Sequence, residues 1–66
     1  MMIEKLQEYF KNEYESMLGI PDKDARWCAV QRCLGALQFV EMTNPEISFV
    51  PLDLMFEYYK ERIMEG

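Results

Sequence analysis

Apolar residues return along the first stretch of the chain at steps of three and four: Ile3, Leu6, Phe10, Tyr14 and Met17. That is the period of one helical face. Met2, Tyr9 and Leu18 widen the stripe, while Glu4, Lys5, Glu8, Lys11, Asn12, Glu13 and Glu15 fill the opposite side. Gly19 is a natural C-terminal stop and Pro21 follows it. The pattern predicts a helix over residues 2–18.

The second stretch opens at Asp22 or Asp24, either of which can cap free backbone N–H groups at the positive end of a helix. Asn44-Pro45 closes it, because proline disfavours a helical residue before itself. A helix over residues 22–42 follows. On a helical wheel Asp24, Gln31, Gly35 and Gln38 make one narrow polar stripe. Ala25, Ala29, Val30, Cys33, Leu34, Ala36, Leu37 and Val40 cover most of the remaining circumference. A helix apolar over so much of its surface belongs in the centre. Ala25, Ala29, Cys33 and Ala36 also form a ridge of small residues against which a neighbouring backbone can lie close.

The third stretch follows a short connector. Ser48 suits an N-cap and leaves Pro51 in the first turn, where its missing N–H costs little. Leu52, Met55, Phe56, Tyr59 and Ile63 form the buried stripe of a helix over residues 49–64. A start at Asp53 would leave Ile47 to Val50 extended, but four residues without a partner strand do not make a sheet. Short links between consecutive helices favour antiparallel neighbours. The expected fold is therefore all-α: a small three-helix up-down-up bundle forming a single domain over residues 1–66, with the middle helix most buried.

Composition sharpens this picture. A chain of 66 residues is near the lower limit for independent folding, and such chains often need a staple. With no histidine and two cysteines, the usual zinc ligand sets cannot assemble in one chain. Cys28 and Cys33 fall about 140° apart around one helix, beyond the reach of a disulfide. No apolar run follows the charges at Glu4 and Lys5 as a secretory signal would require. Two reduced thiols in a cytoplasmic protein are the expectation. Cys33 falls in the apolar arc, and Cys28 nearer the polar stripe.

Twelve acidic residues against seven basic give a net charge of −5. Nucleic-acid affinity rests on clustered Lys and Arg, which are scattered here. The same charge disfavours an anionic membrane surface, and no apolar run approaches the ~20 residues that span a bilayer.

Chemistry is sparse. Gly19, Gly35 and Gly66 are too far apart for a phosphate-binding loop. C-x4-C is no recognised redox spacing. Glu57, Glu61 and Glu65 lie on successive turns, as do Glu4 and Glu8, and such rows are solvated helix faces without the convergent loop of a calcium site. Ser16 and Ser48 have no base beside them. The expectation is a non-enzyme with no cofactor and no metal.

Three features point to binding instead. Gly35 inside a helix costs on the order of 1 kcal/mol relative to alanine, so a close helix crossing or a partner should offset it. Beyond Lys23 at its start, Arg26 and Arg32 are the basic residues of the central helix. Arg32 is either a stem lying over apolar surface or an interface anchor. Finally, nine aromatic residues and six methionines are more than three short helices need. Phe10, Phe56 and Trp27 fit a core; burying Tyr9, Tyr14, Phe39, Phe49, Tyr58 and Tyr59 as well is hard. The sequence thus predicts a protein-interaction module that self-associates as a homodimer through Cys28, Gln31, Arg32, Gly35, Phe39, Tyr58 and Tyr59. A different class is an acidic regulator or inhibitor of a nucleic-acid-handling system, of the mobile-element type. A helix-turn-helix DNA binder ranks lower, since the third helix offers only Lys60 and Arg62.

Overall fold

The computed structural model describes residues 2–65, Met2 by its backbone alone. The expectations placed on the Met2 side chain and on Gly66 therefore lie outside the described residues. Three helices follow one another: α1 (Met2–Ser16), α2 (Lys23–Thr43) and α3 (Phe49–Glu65). No strand occurs among the described residues, and each helix packs against both others. The three-helix bundle expected from the periodicity is what forms. It is long and narrow, 38 × 17 × 15 Å.

The helix ends follow local chemistry. α1 stops at Ser16, two residues short of the expected 18. Its last turns tighten, with the Met17 N–H donating to Tyr14 O at 3.1 Å and the Ile20 N–H to Met17 O at 3.1 Å. Gly19 takes φ +78°, a left-handed conformation that suits glycine and ends the helix. Asp22 caps α2, its carboxylate accepting from the Asp24 N–H at 2.9 Å. Asn44 closes α2 by donating to Val40 O from both its backbone N–H (3.0 Å) and its Nδ2 (3.1 Å). α3 starts right after Ser48, with Pro51 in its first turn as expected.

The core is small and centred on α2. Ala29, Val30, Cys33, Leu37 and Val40 of α2 are buried together with Leu6 and Phe10 of α1 and Leu52 and Ile63 of α3. The Phe10 ring meets those of Phe56 and Tyr59, each 6.0 Å away between centroids. Arg26 is also buried, and its Nε donates to the Ile20 carbonyl at 2.6 Å, tying the α1–α2 loop to the first turns of α2.

Two expectations about the core fail. Trp27 is not in it: this side chain is 48% exposed. Four residues before Gln31, it shares the polar stripe's side of α2, and its size does not override its angle. The close helix crossing at Gly35 is absent as well. A Cβ built there would meet nothing within 4 Å. The glycine lies on the open side of α2, away from both neighbouring helices.

Candidate functional site

Among the described residues, every buried side-chain nitrogen or oxygen has a hydrogen-bond partner, so the interior holds no unsatisfied group awaiting a ligand. No group of three metal-ligating side chains occurs among them, and none of the helices is long and apolar enough to cross a membrane. What stands out lies on the surface.

α2 buries one side and presents the other. Trp27, Cys28, Gln31, Arg32, Gly35, Gln38, Phe39 and Met42 are all exposed and all fall within one arc of about 140°. Phe39 is 63% exposed and Met42 82%. Between them and Trp27, Gly35 leaves a gap in the middle of the face with nothing above it. The only charge in this set is Arg32. Its Nη2 meets Glu13 Oε2 of α1 at 2.8 Å, and its Nε reaches both Glu13 oxygens at 2.9 and 3.1 Å. The hydrogen bond to Glu13 raises the Arg32 pKa above its usual value. The guanidinium edge is thus taken up by α1, while the side chain remains 48% exposed.

The two cysteines fall on opposite sides of the helix, as the wheel requires. Cys28 is exposed on the outer face and Cys33 is buried, and both are free. Burial, followed by the charge of Glu13, pushes the Cys33 thiol up to about 11. That thiol stays protonated at neutral pH and acts as a small apolar side chain.

Of the seven residues expected at the interface, Cys28, Gln31, Arg32, Gly35 and Phe39 do share this face. Tyr58 and Tyr59 do not join them. They line a cleft of about 180 Å³ between α1 and α3 with Lys11, Tyr14, Glu15 and Arg62, and no α2 residue contributes to it. There the two tyrosine rings meet edge to face at 5.1 Å, and the Arg62 guanidinium lies 4.8 Å over the Tyr58 ring. Sequence reasoning missed Trp27 and Met42 on the outer α2 face. Their signal was present, since Met42 falls within the arc spanned by Gln31, Gly35 and Gln38 and Trp27 lies about 20° beyond its edge.

The class so defined is a small helical bundle whose central helix keeps an open face mixing large apolar side chains with amides and one paired arginine. Comparison with protein families, with characterised proteins and with solved structures finds no match for this chain.

Proposed function

We propose that this domain is a non-enzymatic protein-interaction module that self-associates through the outer face of α2. One observation carries the reading: Trp27, Phe39 and Met42 stand in water around the open position at Gly35. Clustered large apolar side chains on a helix face mark a binding surface, whereas scattered ones need no explanation.

Charge favours a second copy as the occupant. Two chains of net charge −5 repel wherever their acidic faces meet. Between Trp27 and Met42 the outer α2 face carries only Arg32, already paired with Glu13, while Asp24 lies beyond Trp27 at the helix start. Two such faces approach with little like-charge opposition along that length. From Trp27 to Met42 the face runs about 22 Å. That length gives an interface at the low end of specific contacts, so a dimer in the micromolar range is expected. A reducing, cytoplasmic setting suits its two free thiols.

Sedimentation across micromolar concentrations tests the reading. The expected result is a monomer–dimer equilibrium that Phe39→Glu shifts at least tenfold toward monomer, with helix content retained by circular dichroism. A chain that stays monomeric to hundreds of micromolar would overturn it.

A further inference from the structure

We infer that the dimer is antiparallel, with its two-fold axis beside Gly35 and with Arg32 of each copy serving as a pre-oriented stacking surface for the partner's Phe39. This rests on the self-association proposed above and specifies its geometry.

The inference starts from the Arg32–Glu13 clamp. Three contacts between 2.8 and 3.1 Å bind one edge of the guanidinium to the α1 carboxylate. An edge-bound guanidinium keeps its flat faces free, and those faces stack on aromatic rings. Because α1 already holds the group in place, stacking costs little further side-chain entropy. Arg32 and Phe39 lie on the same edge of the outer face, on opposite sides of Gly35 along the helix. A two-fold axis perpendicular to the helices at Gly35 preserves the edge and reverses the direction along it. It therefore carries Phe39 of one copy onto Arg32 of the other, twice per dimer.

The opposite edge gives the same answer. There the operation brings Gln31 against the partner's Gln38, two amides that each donate and accept. At the centre Gly35 faces itself, and the absence of a Cβ lets the axes approach to about 8 Å, the close end of helix packing. The glycine that no neighbour within the chain explains, with nothing within 4 Å, then has a structural reason. A parallel dimer also sets Gly35 against itself, but does worse on the other counts. It swaps the edges, setting Arg32 against the partner's Gln31 and Asp24 against Asp24, aligns the two helix dipoles, and leaves both Phe39 rings without a cation.

The two arrangements predict different cross-links. At an axial separation of about 8 Å, the antiparallel form brings the Cα atoms of Gln31 and the partner's Gln38 to roughly 5 Å, within disulfide reach, and holds identical positions apart by about 12 Å along the helix for residue 31. The test uses the full chain carrying Cys28→Ser, to remove the exposed native thiol, with either Gln31→Cys or Gln38→Cys. Both positions are exposed, and sedimentation first establishes whether each protein dimerises. Under oxidation, the mixture of the two proteins should yield a covalent dimer joining unlike chains, while each protein alone should yield little. Rapid cross-linking of Gln31→Cys with itself would show a parallel dimer, overturning this geometry while self-association stands. Dimers by sedimentation without any cross-link would place the contact on another surface, with the same consequence. A monomer would overturn both. Arg32→Lys keeps the charge and loses the plane, so association should weaken roughly tenfold; an unchanged dimer would refute the stacking.

Discussion

The two sides of α2 are both rich in apolar residues, yet one is sealed and the other is open. The sealed side carries Ala29, Val30, Cys33, Leu37 and Val40; the open side carries Trp27, Phe39 and Met42. The difference between them is size as well as polarity, since the open side also carries Gln31, Arg32 and Gln38. Small and branched side chains let α1 and α3 approach α2 and fill the space between three axes. A tryptophan or phenylalanine in that position would force the helices apart. The sides therefore divide the work: one closes the bundle, and the other is left with surface that a lone monomer gains nothing by exposing.

The largest test of this division replaces one large apolar residue on each side. Leu37→Ala removes buried methyl groups and leaves a cavity, at a cost of about 2–5 kcal/mol. A domain this small has about 3–5 kcal/mol in hand, so helix content at 37 °C should fall sharply. Phe39→Ala, measured at concentrations below dimer formation, should cost less than ~0.5 kcal/mol, the ordinary size of a surface change. Denaturant melts of the two variants provide the comparison. Equal costs would mean that the outer face supports the monomer fold and is not free for a partner.

Much of this was legible in the chain because the governing signals are local. Gly19 and Pro21, Asp22, and Asn44-Pro45 set the breaks, since each acts through its own backbone or its own side chain. Phe10 was assignable to the core because a single well-separated stripe points it there. Trp27 was misplaced because size and apolarity were weighed above angle. For an aromatic residue on a helix with apolar residues on both sides, the angle to neighbouring polar positions decides. Gly35 misled for a related reason: a helical glycine signals close approach without saying whose. The Arg32–Glu13 clamp was not legible at all. It joins residues 19 apart in sequence on different helices, and only the packing of α1 against α2 brings them together. Tyr58 and Tyr59 were grouped with the α2 residues by residue type, and the α1–α3 cleft separates them in space.

A second test asks for opposite signs from one substitution. Gly35→Ala places a methyl group where nothing lies within 4 Å, in a helical backbone. Within the monomer it should stabilise by about 1 kcal/mol, the propensity difference between the two residues. For a domain of this size that raises Tm by roughly 4–8 °C. In the proposed antiparallel dimer the same methyl group would meet its symmetry mate at the crossing point, so association should weaken. Thermal melts at low concentration and sedimentation at high concentration read the two effects separately. Gains in both would remove Gly35 from the interface and leave the open face without its centre.

The smallest effect separates the two faces by their thiols. Cys28 in the native monomer should react with a thiol reagent at once, and Cys33 only as fast as the chain opens, since one is exposed and the other buried. Because the two cannot bridge, adding a reductant should leave Tm unchanged. The buried thiol also gives a pH signature of known sign. Its pKa is raised from 9.0 to about 11 in the folded state, first by burial and then by Glu13. A folded pKa above the unfolded one means that the native state holds its proton more tightly. Stability from this group is then fully present below pH 9 and is lost as the pH climbs toward 11. Wild type alone does not isolate this thiol, so a variant without it is needed. Cys33→Val is close in volume and has no proton to lose, and at neutral pH it should differ from wild type by less than ~1.5 kcal/mol. Between pH 9 and 11 wild type should lose Tm faster than the variant. Parallel curves would mean that the Cys33 side of α2 is wetter than the sealed face described here, and that the contrast between the two faces is one of degree.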